Sequence, residues 1–157
     1  MPKATLYTHR QQMINFTIAK VNRPVFPDKY ILIVEDDLLQ QLRLAQHFHE
    51  IFYSQGNVRV NFVSSAIDAA CLISSTAPKP DVIILDHDLQ YGTGSELIEF
   101  MKERSITIPI ITASGLPGNN AKMAQIGVYA ICSKEDVISG RTDFLIEDIL
   151  AINMKIK

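Results

Sequence analysis

The chain has 157 residues, of which 47% are hydrophobic and 20% charged, and its net charge at neutral pH is −2. This size suits one domain with a full hydrophobic core, and the composition is that of an ordinary globular protein. No stretch approaches the roughly 20 consecutive apolar residues of a membrane span, and residues 1–10 lack the apolar run of a secretory signal. We therefore expect a cytoplasmic protein without a membrane segment. Cys71 and Cys132 both lie among apolar residues, which predicts buried core positions.

Charge divides the chain into two parts. Residues 1–30 carry five basic residues and one acidic residue, whereas residues 31–157 carry ten basic and sixteen acidic residues. An acidic main domain argues against non-specific binding to nucleic acid. Two prolines within residues 24–28 disfavour regular structure there. We predict a basic N-terminal extension and linker over residues 1–28 and one domain over residues 29–157.

Apolar runs of strand length alternate with helical patterns from residue 31 onward. The runs at residues 31–34 and 82–85 lack polar alternation, which predicts strands buried on both faces of a parallel sheet. Strands are predicted at residues 31–34, 58–63, 82–85, 108–111 and 128–132. Helices are predicted at residues 38–52, 65–75, 95–104, 119–126 and 141–154, with Ser95 as the N-cap of the third. Five strand–helix units in succession predict an α/β fold, (βα)5, with a doubly wound five-stranded parallel sheet and helices on both faces.

Polar side chains follow the predicted strands, and the second strand is followed only by the uncharged Ser64 and Ser65; the residues at the other four strand ends form the candidate site. They are Glu35, Asp36 and Asp37 after the first strand, Asp86, His87 and Asp88 after the third, Thr112 at the end of the fourth, and Ser133 and Lys134 after the fifth. Ligands of open parallel sheets bind beyond the carboxyl ends of the strands. We therefore expect these side chains to surround one crevice, with Asp37 capping the first helix and His87 pointing away.

The chemistry of this set suits a divalent cation and a phosphoryl group. Carboxylates placed close together repel each other, and oxygen ligands of this kind suit Mg²⁺. An aspartate beside the cation is a possible nucleophile, because aspartate carboxylates form phosphoryl-enzymes. The Lys134 ammonium and the Thr112 hydroxyl would then neutralise or bind the remaining phosphoryl oxygens.

Four segments of the sequence carry a family resemblance. They are I-L-I-V-E-D-D at residues 31–37, P-D-V-I-I-L-D at residues 80–86, I-P-I-I-T-A at residues 108–113, and the pair Ser133 and Lys134. In this order they resemble the receiver domain of two-component response regulators, over roughly residues 29–153. The resemblance implies a flavodoxin-like fold.

The resemblance also implies a role for each site residue. Asp86 is expected to be the phosphoacceptor, with Thr112 and Lys134 contacting the phosphoryl oxygens and the small side chain of Ala113 leaving them accessible. The expected Mg²⁺ ligands are Glu35 through water, Asp36 and Asp86 directly, and the main-chain carbonyl of Asp88. The protein is then a signalling switch that catalyses only its own phosphorylation and dephosphorylation, and not an enzyme acting on other substrates.

Two of the departures from the family pattern concern the switch position and the peptide after Lys134. Ile131 stands at the switch position, where an aromatic residue is common. We expect this change to weaken the coupling between phosphorylation and partner binding. Glu135 follows Lys134 where proline is usual, so the sequence leaves open whether the Lys134–Glu135 peptide is cis.

Two other functions fit part of the pattern. An apolar strand followed by Asp86 and Asp88 also resembles the start of haloacid-dehalogenase-like phosphatases, which use an aspartate nucleophile and Mg²⁺. In that family the Asp-x-Asp motif comes first in the chain, whereas here Glu35 and Asp36 precede it. The third hypothesis is a phosphorylation-independent receiver that acts as an interaction module.

The expected partners follow from the resemblance. They are a sensor histidine kinase or histidine phosphotransfer protein as donor and a downstream protein as target, with a homodimer through the fourth and fifth strand–helix units as a further possibility. Only 23 residues follow Lys134, so no DNA-binding output domain is expected. The lack of a long apolar stretch predicts no membrane partner.

Overall fold

The computed structural model describes residues 29–52 and 58–150, so the predicted extension over residues 1–28 lies outside the described residues. Strands and helices alternate along the described chain. The elements are β1 (Lys29–Val34), α1 (Leu38–Phe52), β2 (Val58–Val63), α2 (Ala66–Ser74), β3 (Val82–Leu85), α3 (Gly94–Glu103), β4 (Ile110–Ser114), α4 (Pro117–Ile126), β5 (Ala130–Ser133), α5 (Lys134–Ile138) and α6 (Asp143–Leu150).

The five strands form one parallel sheet in the order β2-β1-β3-β4-β5. The chain order of the strands reverses at β1 and β3, so their carboxyl ends border the crevice where open α/β sheets bind ligands. The predicted doubly wound five-stranded parallel sheet is thereby confirmed.

Two hydrophobic cores lie on opposite faces of the sheet. Alternate residues of one strand enter different cores: Leu32 and Val34 pack with α2, α3 and α4, whereas Ile31 and Ile33 pack with α1, α5 and α6. The β3 residues are all buried, as the absence of polar alternation predicts. Packing on both faces of the sheet fixes the positions of the strand ends around the crevice.

Several local predictions were wrong. The N-cap of α3 is Thr93, not Ser95: the Thr93 side chain accepts from the backbone N–H of Glu96, whose carboxylate accepts from the N–H of Thr93. Cys132 is buried as predicted, but Cys71 is exposed. β4 begins after Pro109, at Ile110. The last helix begins at Asp143, two residues later than predicted, its predicted end at residue 154 lies outside the described residues, and a separate helix, α5, precedes it.

Two backbone findings complete the description. No peptide bond among the described residues is cis, so the Lys134–Glu135 peptide is trans. Within the described ranges, every helix is too short or too polar to cross a membrane.

Candidate active site at the carboxyl edge of the sheet

Three acidic side chains meet where β1 and β3 end. Val34 and Leu85 are partners in the β1–β3 ladder, so Glu35, Asp36 and Asp86 leave adjacent strands at the same level. One carboxylate oxygen from each lies within 4.8 Å of the other two. His87 does not join them, because its Nδ1 lies 3.0 Å from Asp88 Oδ1. Among the described residues, the three predicted carboxylates therefore come together without a histidine.

Lys134 reaches this acidic group from the end of β5. Its Nζ lies 2.6 Å from Glu35 Oε2 and 3.2 Å from Asp86 Oδ2. One ammonium against three carboxylates leaves an excess of two negative charges in a largely buried site. That excess, together with oxygen donors close enough to share one ion, fits a hard divalent cation.

Burial and pairing have opposite effects on the pKa values of Glu35 and Lys134. Burial raises the pKa of Glu35, against the opposing effects of the hydrogen bonds from Lys134 and from the Asp37 N–H. Burial would lower the pKa of Lys134, but the hydrogen bond to Glu35 and the charge of Asp86 outweigh it, and the pKa is raised. Lys134 therefore stays charged. Added positive charge near the buried Glu35 carboxyl would stabilise its ionised form.

The start of α1 fixes the acidic loop. Glu35 Oε1 accepts from the N–H of Asp37 at 3.0 Å, and the Glu35 carbonyl accepts from the buried side chain of Gln41. Asp37 caps α1 as predicted, since its Oδ1 accepts from the N–H of Gln40 at 2.9 Å. Asp37 thus supports the helix, and Glu35 and Asp36 are left to face the crevice. Sequence reasoning missed Gln41, which no motif marks.

Asp86 lies in a tightly packed loop. The residue is 8% exposed, and its Oδ1 accepts from the N–H of His87 at 2.8 Å. Gly94, the first residue of α3, donates its N–H to the His87 carbonyl at 2.8 Å. A Cβ built on Gly94 would lie 2.5 Å from the Asp86 carbonyl oxygen and 2.8 Å from Met123 Sδ, so only glycine fits there.

The Asp88 side chain points to protein groups outside the acidic cluster. Its two oxygens contact His87 Nδ1 at 3.0 Å and Asn119 Nδ2 at 2.9 Å, and the hydrogen bond from His87 lowers the pKa of this carboxyl. The Asp88 side chain is therefore engaged by these two residues and not by the acidic cluster. Asn119 is a second polar residue that sequence reasoning did not single out.

Thr112 lies on β4, beside the strand that Asp86 follows. It pairs with Leu85 in the β3–β4 ladder, one residue before Asp86. Thr112 is fully buried, and its Oγ1 has no hydrogen-bond partner among the described residues. An unpaired buried hydroxyl costs about 1–3 kcal/mol, so this group favours an incoming hydrogen-bond acceptor. Ala113 follows it and is buried.

The family profile described as response regulator receiver domain matches residues 31–137. The chain belongs to this family. The membership confirms the resemblance found in the sequence and decides against the phosphatase family. It also agrees with the order of the motifs, since Glu35 and Asp36 follow the first strand and Asp86 follows the third.

Known proteins of this kind resemble the chain at low identity. Two-component system protein A of Emericella nidulans is 23% identical over 121 residues, which are 77% of this chain and 17% of that protein. The chain thus spans about a sixth of that relative.

Solved structures share the fold. The phosphorylated cyanobacterial phytochrome response regulator RcpA is 20% identical, with a TM-score of 0.66 over 79% of this chain and 94% of that one. The manganese-bound response regulator Rcp1 is 18% identical, with a TM-score of 0.62 over 76% and 95% of the two chains.

Proposed function

We propose that this receiver domain is a phosphoacceptor switch that takes a phosphoryl group onto Asp86 from a phosphohistidine donor. The observation that carries the proposal is the convergence of Glu35, Asp36 and Asp86 with the ammonium of Lys134, which contacts two of the three carboxylates. In the transfer, the bond between phosphorus and the donor nitrogen breaks, and a bond forms between phosphorus and an Asp86 carboxylate oxygen. The nitrogen keeps the electron pair.

The donor set fits Mg²⁺. Asp36 and Asp86 would hold the ion directly, Glu35 through water, and Asp88 through its main-chain carbonyl, and the charge excess of the cluster favours the ion. When bound, the ion neutralises negative charge on the phosphoryl oxygens. A related structure, that of Rcp1, contains Mn²⁺, a divalent cation with similar ligand preferences.

Lys134 and Thr112 would bind the other two phosphoryl oxygens. The ammonium already lies 3.2 Å from Asp86 Oδ2, so a phosphoryl group on that carboxylate is within its reach. The Thr112 hydroxyl would gain the hydrogen-bond partner it lacks among the described residues. Ala113 would leave the group open to the donor. These roles make the domain a catalyst of its own phosphorylation and dephosphorylation only.

The proposed partners follow from family membership. A sensor histidine kinase or a histidine phosphotransfer protein would supply the phosphoryl group in the cytoplasm, and a downstream protein would recognise the phosphorylated domain or accept the group from it. A homodimer through the fourth and fifth strand–helix units, here β4, α4, β5 and α6, is a further arrangement to test.

The proposal is tested by incubating the chain with acetyl phosphate and Mg²⁺ and measuring its intact mass. The parent is expected to gain one phosphoryl group, and Asp86→Asn to gain none. Asp88→Asn is the matched control, because its side chain faces His87 and Asn119 and lies outside the acidic cluster. A Mg²⁺-dependent acyl phosphate on Asp86→Asn would show that the acceptor is another residue.

A further inference from the structure

A buried amide in the first turn of α4 joins two strand ends. Asn120 is 6% exposed, and its Nδ2 donates to the carbonyls of Cys132 at 2.9 Å and of Ser114 at 3.3 Å. Its Oδ1 accepts from the N–H of Ser114 at 3.2 Å. The partners fix the orientation of the amide, because a carbonyl can only accept and an N–H can only donate.

These two strands carry the groups proposed to bind the phosphoryl oxygens. Ser114 follows Thr112 by two residues on β4, and Cys132 precedes Lys134 by two residues at the end of β5. The Thr112 hydroxyl has no partner among the described residues, and Lys134 extends away toward Glu35 and Asp86. Asn120 therefore adds a side-chain link between the ends of β4 and β5, beyond the backbone ladder that pairs Ala113 with Cys132 and Ser114 with Ser133.

The other anchors of this turn are mainly hydrogen bonds of the main chain. Its N-cap, Leu116, provides no side-chain hydrogen bond, and Pro117 follows. Leu116 donates its N–H to the hydroxyl of Ser114 at 3.2 Å, and its carbonyl accepts from the N–H groups of Asn119 and Asn120 at 3.1 and 3.3 Å. The neighbouring Asn119 reaches in another direction, to Asp88 after β3. The two asparagines thus bind different strand ends, and they can be tested separately.

We infer that Asn120 is a positioning residue for phosphoryl transfer, which sets the distance between the Thr112 hydroxyl and the Lys134 ammonium by joining Ser114 to Cys132. The inference rests on the proposed phosphoacceptor function. Misplacing a reacting or binding group by about 1 Å can slow a reaction by about a hundredfold. The hydrogen bonds of Asn120 do not reach the proposed Mg²⁺ ligands, which follow β1 and β3, so transfer and metal binding should respond differently to its loss.

The experiment measures two constants for the parent, Asn120→Asp, Asn120→Ala and the control Asn119→Ala. They are the rate of Asp86 phosphorylation by acetyl phosphate at saturating Mg²⁺ and the Kd for Mg²⁺. In this reaction the bond between phosphorus and the acetate oxygen breaks, the bond to Asp86 forms, and acetate leaves. An ionised aspartate at position 120 keeps the size of asparagine but cannot donate to Cys132.

Asn120→Asp and Asn120→Ala are expected to slow phosphorylation by about tenfold or more, with the Kd for Mg²⁺ changed by less than about twofold. Asn119→Ala is expected to keep a rate closer to that of the parent. Parental rates in folded Asn120 variants would overturn the inference. So would a proportional loss of rate and Mg²⁺ affinity, which would indicate a general structural role.

A second measurement needs no variant. In the parent with Mg²⁺, beryllofluoride is expected to shift the NMR signals of the Asn120 side-chain amide, because Thr112 and Lys134 engage the mimic while Asn120 links their strands. Unchanged signals would overturn the inference even if the variants fail to fold. Failure of the parent to be phosphorylated on Asp86 would instead refute the proposed function, and the inference with it.

Discussion

Thr112 and Ile131 lie opposite each other in the β4–β5 ladder, yet Thr112 is fully buried and Ile131 is 54% exposed. A threonine that moves toward a phosphoryl group would vacate buried space beside an isoleucine that already lies at the surface. Isoleucine is stiff at its first side-chain torsion, and it has no ring or hydroxyl to turn inward.

We therefore predict that beryllofluoride and Mg²⁺ shift the methyl NMR signal of Thr112 strongly and leave the rotamer of Ile131 unchanged. The coupling free energy between phosphorylation and partner binding should be about 1 kcal/mol or less. Ile131→Tyr supplies the comparison and is expected to show the larger change on β5. A change of the Ile131 rotamer, with a hundredfold gain in partner affinity, would contradict this prediction.

Asp36 and Asp37 are neighbours with different expected roles. Asp36→Ala should lower the affinity for Mg²⁺ by about tenfold or more, because it removes a proposed ligand. Asp37→Ala should leave that affinity nearly unchanged and reduce the free energy of unfolding by about 1 kcal/mol, because it removes the cap of α1. Calorimetric titration and urea unfolding measure the two effects. Equal losses of Mg²⁺ affinity would refute the assignment.

Lys134→Met should destabilise the Mg²⁺-free protein by roughly 3 kcal/mol, because it leaves the buried Glu35 carboxyl beside Asp86 without its positive partner. Added Mg²⁺ should restore part of the loss by binding the folded state. Urea unfolding of Lys134→Met, Glu35→Gln and the double variant forms a complete cycle. If the double variant lost as much as the two single variants together, the pair would contribute no coupling.

Removal of residues 1–27 should leave Mg²⁺-dependent phosphorylation of Asp86 unchanged. β1 has its own anchors: the N–H of Tyr30 donates to Asp81 Oδ2 at 2.7 Å, and the N–H of Asp81 donates to the Tyr30 carbonyl at 2.8 Å. These contacts lie at the amino end of β1, opposite the crevice. A shortened chain that folds, as judged by circular dichroism, but is not phosphorylated would show that the extension contributes to the site.

The sequence predicted the structure best where the local residue pattern also indicates the position of a segment in the sheet. Buried parallel strands appear as continuous apolar runs, so residues 31–34 and 82–85 could be recognised and the acids after them assigned to one edge. The capping box of α3 was also visible as Thr93 and Glu96 at the required spacing, but Ser95 is an equally good capping residue by type. Cys71 has apolar neighbours in sequence, yet it lies off the α2 face that buries Ala69 and Ile73.

The contacts that sequence could not supply are those between residues far apart in the chain. Gln41, Asn119 and Asn120 have ordinary helical neighbours, and their partners depend on how helices pack against strand ends. The pairing of Lys134 with Glu35 could be expected from their strand ends, but the preference for Glu35 at 2.6 Å over Asp86 at 3.2 Å could not.

The close approach of Gly94 to Asp86 bears on which substitutions the chain tolerates. Gly94 binds no ligand and carries no charge, yet the smallest added side chain would collide with the backbone of the loop that presents Asp86. Such a collision would reorient Asp86 or displace α3 from the sheet. Either change would alter the site, although the new side chain would take no part in its chemistry. In a saturation library selected for signalling, we therefore expect position 94 to accept fewer replacements than position 88. The carboxylate of Asp88 is charged and exposed, yet it can be replaced.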